Sequence, residues 1–390
     1  MSERFVPKAI FFDAIALSRT EPHLMNMPKD YAKVRLFLLS YALSSDTYNT
    51  YRREVERYCQ WLWYVAQSSL EKTTRHMVHD YIKFFQSPPS SWISPKHYPR
   101  FINDYSGQQL FNPDWRPFVV KPGQKRTVSQ SAMKSMIACL STFYTFLMHE
   151  EVVSQNPVQM LTQKKQILQT VQTTRIKRRL SQTQWGYVVD VVKCLAGSHQ
   201  KYERHLYILS LFYLLGVRIS EISQNEKSFK PMNLFYQDNH NRWWFEALGK
   251  GNKVRSVAVP DAMLEGLARY RRTLGLSPLP TPDDLSPLVP KLRGAGGLSA
   301  RQLRVLVSEA FGAAVDALIR DGLTHDASNL KQATVHWLRH TSISDDVMLR
   351  PSEHVRDDVG HENIATTSLY IDVLDEKRHA TAKDKKLKQD

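Results

Sequence analysis

The sequence predicts a mainly α-helical chain with one small antiparallel β-sheet, an α+β fold arranged in two domains. Three observations lead there. At 390 residues the chain is longer than one hydrophobic core ordinarily organises. Through most of that length apolar residues recur at steps of three and four, the period of an amphipathic helix. One pair of β-like segments, RWWFEAL and VRSVAVP, is joined by the Gly-bounded turn GKGNK and reads as a hairpin.

After an N-terminal tail, residues 1–29, the stretch 30–163 reads as a helical unit. Its clearest helix follows Asp46 as N-cap, with Tyr48, Tyr51, Val55, Tyr58, Leu62 and Val65 on one face and Arg52, Arg53, Glu54, Glu56 and Arg57 on the other. Further helices are expected over 30–44, 73–86 and 128–149, the last striped by Met133, Ile137, Leu140, Tyr144 and Leu147. Four such helices suit a small bundle. Between the third and fourth, residues 88–125 are too broken by proline for a long helix and too rich in aromatics for disorder. They are expected to form an ordered insertion.

Residues 164–179 carry Lys164, Lys165, Arg175, Lys177, Arg178 and Arg179 and no acidic side chain. This is the composition of an exposed linker lying along a phosphate backbone, with a plain tether or a localisation-like basic run as the other readings. A second unit, 180–375, follows. Helices are expected over 180–196 and 205–223, then the hairpin, then helices over 261–273, 299–321, 334–346 and 366–375. The segment PSEHVRDDV reads as one more helical piece, closed by Gly360 and His361. Thr366 or Thr367 then offers an N-cap that puts Tyr370 in the first turn of the next helix. The last residues, 376–390, form a charged tail poor in large apolar groups.

Lys and Arg total 53 against 38 for Asp and Glu, a formal charge of +15, which points to a polyanionic partner. Cys59, Cys139 and Cys194 are far apart and each lies in a helical apolar pattern, so they read as buried thiols of a reducing compartment rather than a disulfide or zinc framework. The N-terminal run AIFFDAIAL lacks a basic leader and the length of a membrane span, and a cytoplasmic, nucleoid-associated location is expected.

Chemistry concentrates in the second unit. In HWLRHT, His336 and Arg339 are three apart and share a helical face. His336 and His340, four apart, have the spacing of a zinc helix, but Trp337 stands where the general-base Glu of such a site belongs, so no metal is expected. In GVRISEI, Arg218 lies at the foot of a strongly apolar helix and needs an anion, with Glu221 placed to orient it; a purely structural ion pair is the other reading. Lys250 or Lys253, on the hairpin turn, supplies a cation able to give up a proton.

Taken in order, Arg218, the hairpin Lys, His336, Arg339, His361 and Tyr370 resemble the signature of the tyrosine recombinase (phage integrase) family: Arg, a β-hairpin Lys, H-x-x-R, then G-H followed by Tyr. The likeness covers about residues 180–375 and is most specific in G-H-x-x-I-x-T-T-x-x-Y, residues 360–370. It implies a helical core-binding domain before a catalytic domain, and a site-specific recombinase or integrase that needs no metal, ATP or other cofactor. Tyr370 is then the nucleophile that forms a 3′-phosphotyrosyl link, and Arg218 and Arg339 are the phosphate clamp. His336 and His361 are the imidazole partners and Lys250 the acid for the 5′-oxygen, with Lys253 as the alternative. Glu221 and His340 support them. The resemblance further implies double-stranded DNA with specific sites as partner, a homotetramer at synapsis from monomers or dimers in solution, DNA-bending accessory proteins in some systems, and a mobile-element setting. Two departures from the family pattern stand out: the insertion at 88–125, and the lack of glycine between Arg339 and Gly360. Rival readings are a type IB topoisomerase, which shares the Arg, Lys, His and Tyr chemistry, and a DNA-binding regulator with an inert site.

Overall fold

The computed structural model describes residues 5–11, 29–107, 109–161, 178–224, 229–249 and 253–360. The expected helix at 366–375 and the charged tail lie outside the described residues, as does most of the basic linker. Contacts divide the chain into two compact units, Met1–Thr174 and Arg175–Asp390.

The first unit holds α1 (Tyr31–Leu39), α2 (Ser45–Tyr64), α3 (Arg75–Gln86) and α4 (Gln130–His149). Helix α1 stops five residues before the expected 44: Ser40 is still helical, but beyond it the N–H groups of Tyr41, Ala42 and Ser44 bond carbonyls three residues back instead of four, a set of tight turns. Ser44, in extended conformation, precedes α2, so Asp46 falls inside the first turn rather than at the cap, where its charge still suits the positive end of the helix. Thr74 and Ser129 cap α3 and α4 by accepting from the backbone N–H three residues on. The apolar stripes meet as read from sequence: Val55, Tyr58 and Leu62 of α2 share one core with Ile137, Leu140 and Tyr144 of α4. Inside it the Tyr58 and Tyr144 hydroxyls lie 2.6 Å apart.

Residues 88–125 are folded onto this bundle. The short strands β1 (Ile93–Ser94) and β4 (Phe118–Val119) pair in parallel, and β2 (Phe101–Asn103) pairs antiparallel with β3 (Gln109–Phe111). Trp92 and Phe118 are buried in the bundle core, which anchors both ends of the segment. A buried carboxylate, Glu56 of α2, gathers the periphery: it accepts from the backbone of Ile10 (2.7 Å) and Phe11 (3.2 Å) and from Arg100 of the insertion (2.7 Å).

The second unit contains α5 (Gln182–Ser198), α6 (Lys201–Leu214) and the single turn α7 (Ile219–Ile222). A three-stranded antiparallel sheet follows, made of β5 (Phe235–Gln237), β6 (Trp243–Leu248) and β7 (Val254–Ala258) in that order. The hairpin was legible; the three-residue β5 was too short to show alternation. Then come α8 (Asp261–Thr273), α9 (Ala300–Arg320), α10 (Thr324–Leu330), α11 (Val335–Leu349) and α12 (Ser352–Val359). Helix α10 was not read from sequence because THDASNL buries only Ala327 and Leu330 and carries no apolar stripe.

Two expectations are corrected here. The segment 205–223 is not one helix: the chain breaks after Leu214, where Gly216 takes φ +57° and Arg218 is extended. A Cβ at Gly216 would lie 3.1 Å from the Ser342 hydroxyl oxygen, so the break brings this corner against α11 with no room for a side chain. Cys59 and Cys139 are buried as expected, but Cys194 is exposed, on the outer face of α5. Among the described residues no helix is long and apolar enough to cross a membrane.

Candidate active site

The corner after α6, the hairpin, α11 and the C-terminal end of α12 come together at one place. Three guanidinium groups define it by taking three successive backbone carbonyls of the α12 terminus. Arg255 of β7 donates Nε to Asp358 (2.7 Å), Arg339 of α11 donates Nη2 to Val359 (2.7 Å), and Arg218 donates Nη2 to Gly360 (3.2 Å). The last carbonyls of a helix have no intrahelical donor and carry the negative end of its dipole, so cations are favoured there. Gly360 closes the helix in the left-handed region, φ +64°, and a Cβ on it would lie 3.0 Å from Arg255 Cδ. Glycine is required on both counts.

Glu221 joins the arginines from below. It is 1 % exposed and its carboxylate accepts from the Arg218 backbone N–H (2.7 Å), from Arg218 Nη1 (3.1 Å) and from both Nη atoms of Arg255 (2.6 and 2.8 Å). Burial pushes this carboxyl upward, but the Arg255 hydrogen bonds and charge, with those of Arg218, hold it below the ordinary carboxylate range. It is therefore an anion that fixes two guanidiniums. Arg339 is also buried (5 % exposed) and spans to the Gly216 carbonyl through Nη1, tying the α6 corner to the α12 end. Arg218 retains about a third of its side-chain surface.

His336 lies one helical turn before Arg339, at the exposed start of α11. The protein around it disfavours its charged form, and the cationic Arg339, Arg178 and Arg218 add to that, so its pKa falls below the usual imidazole value. The ring is neutral at neutral pH and can accept a proton. His340 packs edge-on against it, ring centroids 4.3 Å apart. Among the described residues no group of three or more His, Cys, Asp or Glu side chains is placed to hold a metal ion. The unit is pinned at its start as well, since Leu180 N–H donates to the Thr341 hydroxyl (2.9 Å).

The structure thus brings together Arg218, Glu221, His336, Arg339 and His340, with Arg178 near enough to act on His336. Arg179 lies nearby, where its charge favours the ionised form of Asp345 on α11. Lys253 is exposed at the base of the hairpin turn, where its carbonyl accepts from the Gly249 N–H (2.8 Å). Lys250, His361, Tyr370, Lys164, Lys165, Arg175 and Lys177 lie outside the described residues. Arg255 is the residue that sequence reasoning missed. The signal was present: in β7 it lies two residues before the buried Val257 and so shares its inward face, while Val254 and Ser256 face out.

No family model matches the chain. In sequence it is 28% identical over 272 residues to tyrosine recombinase XerC of Bacillus subtilis, spanning 67% of this chain and 77% of that one. It is 24% identical over 261 residues to a tyrosine recombinase of Pseudothermotoga lettingae, spanning 65% and 75%. In structure it matches the XerH site-specific recombinase in its post-cleavage complex with a palindromic difH substrate, at TM-score 0.57 and 14% identity, over 90% of this chain and 84% of that one. A lambda integrase dimer bound to a COC′ core site gives TM-score 0.51 and 13% identity, over 87% and 76%. The fold is the one these site-specific recombinases and integrases share. The relatives it resembles in sequence are tyrosine recombinases.

Proposed function

We propose that the chain is a site-specific DNA recombinase that cleaves and rejoins duplex DNA through a 3′-phosphotyrosyl intermediate. The observation that carries this reading is the convergence of Arg218, Arg339 and Arg255 on the three carbonyls just before His361. Charge of that density beside a neutral imidazole suits a phosphodiester, whose non-bridging oxygens gain negative charge in the transition state. In this reading Arg218, the most accessible of the three, meets the phosphate directly. Arg339, held by Gly216 and Val359, sets the second cationic wall.

Tyr370 is the proposed nucleophile. A phenol titrates near pH ~10, so it must lose its proton as it attacks, and His336 is the proposed acceptor. His361 hydrogen-bonds a phosphate oxygen, and Lys250, or Lys253 from the same turn, protonates the departing 5′-oxygen. The phosphotyrosyl ester conserves the energy of the broken bond, and attack by another 5′-hydroxyl completes strand exchange with no metal or ATP. Recognised DNA sites, a tetramer at synapsis and service to a mobile element belong to the same proposal.

The test is a suicide duplex, nicked so that the cleaved strand cannot religate, incubated with the full chain. Wild type accumulates a covalent protein–DNA adduct and Tyr370→Phe gives none while retaining duplex binding. Adducts that persist in Tyr370→Phe overturn the assignment of the nucleophile.

A further inference from the structure

The first unit carries a second cationic concentration, unrelated to the site above. Between the outer face of α2 and the insertion 88–125 lies an open cleft of about 900 Å³. Nine Arg or Lys residues and no Asp or Glu are among the described residues that line it. Small-molecule pockets are lined mostly by apolar groups with a few polar ones, so this composition selects against such a ligand and for a polyanion.

The cleft has two layers. Its floor is built of arginines held by rings and carboxylates. Arg57 and Arg126 both lie over the ring of Phe118, at 4.7 and 4.5 Å, and Arg100 lies over Trp115 at 4.8 Å. Two carboxylates beneath, Glu54 and Glu56, are buried and hold Arg53, Arg57 and Arg100, so they offset only part of the charge. Burial first, and the neighbouring Arg57 after it, push the Arg126 guanidinium below its ordinary range. The rim comes from the insertion itself: Lys96, Lys121 and Lys125 are exposed there, and Lys96 lies 5.1 Å from the Tyr98 ring. Fixed arginines over a rim of solvated lysines are suited to a run of phosphates rather than to one anion. The void is also far larger than one small anion needs, a water occupying about 30 Å³.

We propose that the insertion 88–125 is an added DNA-binding element, whose lysine rim and arginine floor clamp the sugar–phosphate backbone of duplex DNA outside the catalytic unit. The proposal rests on the recombinase reading only in its choice of DNA as the polyanion. Such contacts position the protein and carry no base information, so they act on affinity and salt dependence.

The experiment measures binding of the full chain to a fluorescent duplex of arbitrary sequence across a salt series. It compares Lys96→Ala/Lys121→Ala/Lys125→Ala with Lys29→Ala/Lys72→Ala/Lys83→Ala, exposed lysines of the same unit outside the cleft. Melting curves check that both variants fold. The cleft variant is expected to lose roughly tenfold or more in affinity near 0.1 M salt, and its log K against log salt slope is expected to fall by ~0.9 for each phosphate contact removed, the control much less. Equal behaviour of the two variants overturns the proposal, and so does a loss confined to duplex RNA. Arbitrary-duplex binding requires no strand cleavage, so absence of the covalent adduct with this slope change intact would sink the recombinase chemistry and leave the clamp standing.

Discussion

Arg255 grips Glu221 with both terminal nitrogens, at 2.6 and 2.8 Å, while its Nε reaches the Asp358 carbonyl. One side chain thereby joins the hairpin, the turn that carries Arg218 and the helix end that leads to His361. A forked guanidinium is needed for this, because a lysine ammonium cannot hold two carboxylate oxygens and a third acceptor in one plane. Arg255 is therefore a positioning residue. Arg255→Ala leaves a buried carboxylate with Arg218 as its remaining arginine partner, and a loss of about 3 kcal/mol in unfolding free energy is expected from chemical denaturation. Arg255→Lys is expected to restore part of that stability while adduct formation stays at least tenfold slow, because Glu221, held by one guanidinium fork fewer, fixes Arg218 less firmly. A variant that recovers stability and cleavage rate together would show that charge alone matters at this position.

How much of this was visible in the sequence depends on how local each cause is. The helices over α2, α4, α8 and α9 followed from apolar period, and the hairpin from alternation around a Gly-bounded turn. His336 with Arg339, and Arg218 with Glu221, were readable because each pair is three apart within one stretch. The Arg255–Glu221 pair joins residues 34 positions apart through a fold, and nothing in either local stretch names the other. The break at Gly216 depends on how closely Ser342 approaches, which is again a tertiary fact. The insertion's order was legible from its aromatics, but its cationic cleft required knowing that Phe118 would draw Arg57 and Arg126 onto one ring.

If His336 is the proton acceptor of the proposed reaction, it sets the acid limb of the rate. Its folded pKa lies below the ordinary imidazole value, so the neutral, proton-accepting form is already dominant at neutral pH and is lost only as pH falls through that depressed pKa. The rate of adduct formation is expected to be flat from about pH 7 upward and to fall tenfold per unit below a midpoint under ~6.5. In His336→Gln the rate drops by roughly a hundredfold or more and the acid limb disappears. Single-turnover cleavage of the suicide duplex across pH 5–8 is the measurement, and an unchanged acid limb in His336→Gln assigns the base elsewhere.

Asp346 gives a separate handle on stability. It sits on α11 near two other carboxylates; burial first, then Asp358 and Asp345, against the opposing pull of Arg350 3.9 Å away, together push its pKa up to about 6. Its folded pKa is above the ordinary aspartate value near ~3.9, so the folded state binds the extra proton and is favoured where that proton is held. The contribution is fully present below about pH 4 and is lost as pH rises through 6. Asp346→Asn mimics the protonated form at every pH. The substitution is expected to raise unfolding free energy by roughly 1 kcal/mol at pH 7, a value discounted for the part of the side chain that water still reaches, and to have little effect at pH 4. Thermal melts at the two pH values decide it: a gain at pH 4 as large as that at pH 7 would mean that removal of charge is not the cause.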